Sequence, residues 1–361
     1  MRLRVSGSTL RFTRRALLSE NFVLYLSIVY FAVLWIFMPY IASGRNLANI
    51  SSDMWPLLAL VLGQMFVLIL GGIDLSQTSI MALTSVIGAM LMTTKLDPAL
   101  FTKSPLWGIL LSAGGSPVSG TPLAVPVGIL AMLLVGALVG LLNGLAVAKF
   151  RMPAFMVTLV SMMFFSGLAI YLTKSENIMN LPGSFIAIGS GQAGPIPYSF
   201  LVVLVLAIAA HNVLKHTVLG QWFFAVGKSV RTSVVSGVPT DRVIIMGYVF
   251  SGFCAAVASI LYSARLENGR PLLGQKLLLD VIGAAVIGGI SLFGGKGKVL
   301  WAVFGVLFFT LLSNSLSMLA LPFYMERVIK GSVILLAALL DVTRTRFLTR
   351  ESLVYQDGLH A

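Results

Sequence analysis

Charge is what this 361-residue sequence has least of. Only 10% of its residues are Asp, Glu, Lys or Arg, while 58% are hydrophobic. A soluble domain carries roughly a quarter charged residues, because its surface must stay hydrated. This chain has too little charge to cover a soluble globule of its size, so lipid must be part of its solvent. Cysteine is almost missing as well. Cys254 stands alone in an apolar run, which excludes an internal disulfide. Histidine is limited to His211, His216 and His360. There is no His-Glu-x-x-His motif, no metal-ligand cluster and no Walker A loop. An intramembrane metalloenzyme and ATP hydrolysis by this chain are thereby excluded, and neither catalytic residues, metal nor cofactor is expected.

What charge there is leans positive, with a formal net charge of +13. The basic residues sit in short polar gaps between apolar runs, not along one face or in a tail, so nucleic acid is not the partner. Arg2, Arg4, Arg11, Arg14 and Arg15 precede an apolar stretch from about Asn21 to Ser43. That stretch is longer than the roughly 7–15 residues of a signal-peptide core and reads as an uncleaved first span.

A spanning helix needs roughly 20 mainly apolar residues. Runs of that kind centre near residues 32, 62, 86, 136, 162, 205, 253, 287, 309 and 333. They predict an all-α polytopic membrane protein of about ten transmembrane helices over 21–341, between a short segment 1–20 and a tail 342–361. The apolar patch Pro105–Ala113 is too short to span and should lie at the interface or fold back. With ten spans and an internal N-terminus, sixteen Lys and Arg fall in internal gaps and nine in external ones. That bias fits the positive-inside rule and places both termini in the cytoplasm.

Two stretches of the chain resemble each other. Gly71-Gly72-Ile73-Asp74-Leu75 recurs as Gly288-Gly289-Ile290-Ser291-Leu292. Leu141-Leu142-Asn143 followed by Met152-Pro153-Ala154-Phe155-Met156 has a counterpart in Leu311-Leu312-Ser313 followed by Leu321-Pro322-Phe323-Tyr324-Met325. The order predicts repeat halves of about 54–172 and 243–341, as transporters often show. In each copy the glycine pair allows a helix break, and Asp74 or Ser291 is expected to cap the next helix. The matched Gly72 and Gly289 should need positive φ or close approach.

The longest internal gap is 215–242. Within it Ser229–Ser236 can form a two-turn helix, bounded by Gly227 and Gly237 with Pro239 beyond. Such a helix suits either a docking partner or an interfacial connector. An ion-coupled secondary carrier would need ionisable groups at mid-membrane. Asp74, Asp280 and Glu326 instead fall near span ends on this assignment, which favours an energy source outside the chain.

The residues now resemble a known family, the ribose/xylose/galactoside-type permeases of bacterial ATP-binding-cassette importers. The resemblance rests on Gly71-Gly72-Ile73-Asp74-Leu75-Ser76, on Asn143-Gly144, and on Met152-Pro153 through Leu159. It continues in Ser236-Gly237-Val238 leading into Ser251-Gly252, in Asp280 through Gly288-Gly289 to Gly297, and in Val328-Ile329-Lys330-Gly331. It implies an inner-membrane subunit, one of two like or unlike permeases, that passes a monosaccharide or related polyol. It also implies a periplasmic binding protein and a cytoplasmic ATPase. The ATPase-coupling region it suggests contains Gly227, Lys228, Ser229, Arg231, Ser236, Gly237 and Pro239. Relatives usually carry an acidic residue after the glycine matching Gly227, and here Lys228 follows. Branched-chain amino-acid permeases are the nearest alternative substrate class.

Overall fold

The structure, a computed structural model, describes residues 21–194 and 196–339. The basic N-terminal residues, Asp341, His360 and the C-terminal tail lie outside these. The described residues are mostly helical, with a two-residue hairpin pairing Gln192–Ala193 with Ile196–Pro197. Its helices in chain order are α1 (Phe22–Phe37), α2 (Gly44–Ile69), α3 (Gln77–Met92), α4 (Pro98–Phe101), α5 (Ala124–Ala148), α6 (Ala154–Thr173) and α7 (Gly183–Ser190). Then come α8 (Tyr198–His216), α9 (Val218–Lys228), α10 (Val230–Val235), α11 (Thr240–Arg265), α12 (Leu278–Gly288) and α13 (Val299–Met318). A last helical segment covers 323–339.

Each of the ten expected centres falls in one of these helices. Among the described residues six helices, namely α2, α5, α6, α8, α11 and α13, are long and apolar enough to cross a membrane; α1, α3 and α12 are shorter apolar helices. The reason for the short ones is visible in the chain path. After α2 ends, residues 72–75 are not helical and run back along α2 into the bundle. Gly72 donates its N–H to Val67 O, and the Gln77 amide reaches Leu60 O at 3.2 Å. Leu60 lies nine residues before the end of α2, roughly 13 Å along its axis at about 1.5 Å per residue. So α3 begins well inside the bundle and needs only 16 residues to reach the other end.

The same device recurs before α12. Arg270 donates its N–H to Ser85 Oγ at 3.0 Å, on α3, and Gly274 lies against Thr78 O and Met81, about two turns deeper. The non-helical stretch 266–277 thus also enters the bundle, and α12 starts within it. Irregular backbone is tolerated at membrane depth only where protein surrounds it. Here α2 and α11, the two 26-residue helices, supply that surround, and most of their residues are buried.

The α5–α11 packing that closes this core is backbone on backbone. A Cβ at Gly140 would overlap Tyr248 O, and one at Gly252 would overlap Gly136 O. Small residues let membrane helices approach in this way. The apolar patch Pro105–Ala113 does fold back: Leu96 N–H bonds Ala113 O at 3.0 Å, and the Ser104 and Ser116 hydroxyls bond the carbonyls of Leu172 and Leu91.

Candidate functional site: a buried carboxylate and a glycine junction

Asp74 was expected to cap a helix near a span end. It is instead sealed in the bundle, 1% exposed, and all its partners are neutral. Its Oδ1 accepts from the Ser76 N–H at 2.9 Å and the Ser76 hydroxyl at 2.6 Å; its Oδ2 accepts from the Ser251 hydroxyl at 2.6 Å. Ser76 occupies the N-cap position of α3 without a side-chain cap bond, and Asp74 accepts from the Ser76 N–H just before that helix. The network spreads outward from there. Gln77 donates to Ser251 Oγ at 2.9 Å, Asn143 donates to Ser76 Oγ at 2.8 Å, and the Ser161 hydroxyl donates to Asn143 Oδ1. Gln64 sets its carboxamide against the Asp74 peptide, its nitrogen 3.0 Å from the carbonyl and its oxygen 3.2 Å from the nitrogen.

Three of the motif residues, Asp74, Ser76 and Asn143, therefore meet in one place although up to 69 positions separate them. Sequence reasoning missed Gln64, Gln77 and Ser161. Each is a polar residue inside an apolar helix, which was the available signal. Isolated buried polar groups are costly unless hydrogen-bonded, so such residues must find one another. Pro153 immediately precedes α6, where Thr158 Oγ1 donates to Ile73 O at 3.1 Å and holds the non-helical residues 72–75 from the outside.

The glycine pairs are less symmetric than expected. In the first copy Gly71 is left-handed (φ 80°), and in the second it is Gly289 (φ 98°), one place later. Both form the same C-terminal turn, with the following N–H bonding a carbonyl five residues back (Gly72 to Val67, Ile290 to Ala285). Gly72 has an ordinary φ, and a Cβ there would stand 2.8 Å from the Tyr248 hydroxyl and 3.1 Å from Val67 Cγ1. At Gly289 there is room for a Cβ, but the conformation is strained for one. Gly288 packs against the Trp301 carbonyl. Ser291 accepts from the N–H two residues on, as Asp74 does, but the next helix starts only at Val299, so Ser291 caps nothing.

Asp280 and Lys330 also meet. The Lys330 ammonium lies 3.0 Å from both carboxylate oxygens, and both side chains are nearly buried. Asp280 stands in the first turn of α12 and Lys330 in the segment 323–339, so this ion pair ties the last helix to the re-entering one. The expectation that Asp74 and Asp280 fall near span ends is corrected, because both are buried where α3 and α12 begin inside the bundle. Gly331, beside Lys330, has open space around it.

At one end of the bundle three backbones converge. The Gly295 N–H donates to Ile69 O at 2.8 Å. Gly227, next to last in α9, lies so close that a Cβ would overlap the same Ile69 oxygen. Gly294 lies against Gly227 O and Gly71 N. The expected helix within 229–236 is α10, with the Ser229 hydroxyl accepting from Thr232 N–H at 3.2 Å. It closes at Ser236 and left-handed Gly237, and Pro239 precedes α11. The sequence did not show that 218–228, before it, is a helix too. Thus Gly227 locks α9, α2 and the loop 291–298 into one junction, with Lys228, Ser229 and Arg231 directly following.

Two outcomes follow. Gly72→Ala should lower the melting temperature of the detergent-solubilised protein, and Tyr248→Phe should restore part of it; Gly289→Asn, which tolerates left-handed backbone, should be nearly silent. Equal losses for Gly72→Asn and Gly289→Asn would contradict the asymmetry. Lys330→Met should destabilise by about 3–5 kcal/mol, because it strands a buried carboxylate, while the double variant Asp280→Leu/Lys330→Met should recover most of that in the same melting assay.

Comparison with known proteins agrees with this architecture. Residues 46–338 match the family described as "Branched-chain amino acid transport system / permease component". The ribose import permease protein of Haemophilus influenzae is 30% identical over 318 residues, covering 87% of this chain and 90% of that protein. The ribose import permease protein of Escherichia coli is 30% identical over 344 residues, covering 93% and 97%. The L-arabinose ABC transporter permease protein of Azospirillum brasilense is 29% identical over 328 residues, covering 91% and 89%. No solved structure gives a significant match. The helical bundle and the extent of these matches agree that the chain belongs to the branched-chain amino acid transport system permease-component family.

Proposed function

We propose that the chain is the membrane-spanning permease subunit of an ATP-driven importer that passes a monosaccharide or related polyol. The observation that carries this reading is identity across nearly the whole chain with permeases named for ribose and arabinose import. A separate ATP-binding-cassette ATPase supplies the energy, a periplasmic binding protein delivers the sugar, and a second permease, identical or paralogous, completes the path. The six long helices, together with α1, α3, α12 and 323–339, make ten crossings. The halves about 54–172 and 243–341 are counterparts. In support, the matched glycine pairs end α2 and α12 in the same turn, with Gly72 N–H on Val67 O and Ile290 N–H on Ala285 O.

The junction end, with α10, faces the cytoplasm together with both termini. The sixteen-to-nine distribution of Lys and Arg supports this orientation. Half of the sixteen lie in the terminal segments, outside the described residues.

Purified alone in liposomes, the chain should take up no ribose, arabinose or xylose under a proton or sodium gradient, read as radiolabelled sugar retained in the vesicles. Uptake driven by either gradient would replace the importer with a secondary carrier. For orientation, Ser229→Cys in a Cys254→Ala background should resist a membrane-impermeant thiol reagent in intact spheroplasts and react after lysis. Labelling before lysis would invert the topology.

A further inference from the structure

Tyr248 is the largest side chain shut completely into the bundle among the described residues. Its hydroxyl nonetheless has no hydrogen-bond partner among them. A buried donor in that state is unfavourable, and native structures keep few of them. Its surroundings show what it faces. It stands 2.8 Å from the place a Cβ would take on Gly72, and the Asp74 carboxylate acts on it electrostatically. Three residues further along α11, Ser251 gives its hydroxyl to Asp74 Oδ2 at 2.6 Å. Residues three apart on a helix are about 60° apart around the axis and about 4.5 Å apart along it. Tyr248 and Ser251 therefore share the face of α11 that looks onto 72–76, with Tyr248 opposite Gly72 and Ser251 opposite Asp74. Asp74 Oδ1 accepts twice from Ser76, whereas Oδ2 accepts from Ser251 alone among the described residues.

The face of α11 toward α5 is smooth. Gly136, Gly140 and Gly144 lie against Gly252 O, Tyr248 O and Ile245 Cα, so backbone meets backbone there over about two turns. At those three positions α11 can change register without a side-chain knob leaving its hole.

We propose that Tyr248 is a positioning residue of the transport cycle: in a second register of α11, displaced toward its Arg265 end, the Tyr248 hydroxyl replaces that of Ser251 on Asp74 Oδ2. This rests on the importer reading above and names the contact that its moving helix exchanges. Ser251, once released, can turn its hydroxyl to a carbonyl of its own helix, as Ser27 does on Val23 O. The long Tyr248 side chain has no such choice and gains its acceptor only by the shift. Against the shift stand Ser259 on Met81 O at 2.8 Å and Ser263 on Ser85 Oγ at 2.7 Å, which hold the outer half of α11 in the resting register. Opposing terms of this size give two discrete positions close in energy, which is how packed helices switch.

The first test is a double-mutant cycle read as the melting temperature of the detergent-solubilised chain. Tyr248→Phe alone should leave it unchanged or raise it, because the lost hydroxyl has no acceptor at rest. In a Ser251→Ala background Asp74 Oδ2 is open to Tyr248, and there Tyr248→Phe should lower it by about 2–4 °C. Ser251→Cys, a much weaker donor, serves where Ser251→Ala yields no monodisperse protein. Equal effects of Tyr248→Phe in the two backgrounds would overturn the exchange. The second test is sugar uptake by cells carrying the complete importer. Tyr248→Phe should reduce the maximal rate at least tenfold, with expression and the half-saturating sugar concentration unchanged. A residue that only packs the core would not lose uptake while keeping its melting temperature. Uptake equal to the parent's would overturn the role in transport. If the parent itself takes up no sugar, the importer reading fails, and the melting cycle decides whether the two hydroxyls exchange.

Discussion

Backbone that leaves the helical state inside a membrane has no water to bond with, and the rest of this fold follows from meeting that constraint twice. The non-helical stretches 72–75 and 266–277 each carry peptide groups to bundle depth before a short helix begins. Each unsatisfied group there would cost several kcal/mol. Gln64 and Thr158 close on the first stretch, and Ser85 and the Ile178 backbone close on the second. The long helices α2 and α11 lie where they do because these stretches need a protein wall. The glycine-lined contact of α5 with α11 then lets that wall close without gaps.

Asp74 belongs to the same solution. A lone carboxylate in such a place is unfavourable, and no cation stands beside it. The Ser76 peptide and hydroxyl and the Ser251 hydroxyl of α11 take up its oxygens, while Gln77 of α3, Asn143 and Ser161 hold those donors in turn. Five parts of the chain agree on one arrangement through side chains that are nearly all neutral. That arrangement specifies register between helices whose apolar surfaces alone could slide.

The legible part of this protein was its long apolar runs. All ten centres lie in helices, because burial in lipid writes a signal over about 20 residues that no other environment imitates. The Ser229–Ser236 helix was legible too, since a glycine on either side and a proline beyond are local chemistry. What stayed hidden was depth. Asp74 and Asp280 lie at helix starts in both readings, but sequence gives no sign that those starts are inside the bundle. The pairing of Asp280 with Lys330 joins residues 50 positions apart, and the apolar residues between them carry no trace of it. The offset between Gly71 and Gly289 was invisible for a different reason: a Gly-Gly pair reads alike whichever member takes the left-handed turn.

The Asp280–Lys330 pair also bears on how the chain is made. Asp280 enters the membrane while the chain is still being synthesised, and its partner follows 50 residues later in the final helical segment. Until then the bundle contains an uncompensated carboxylate. Insertion of Lys330 alone at helix depth would cost about 2.5–3.5 kcal/mol. Each charge is thus tolerable only in the presence of the other. A chain that stops before Lys330 stays marked as unfinished by a charge in its interior, and a chain that reaches it completes the pair and seals the bundle in one step.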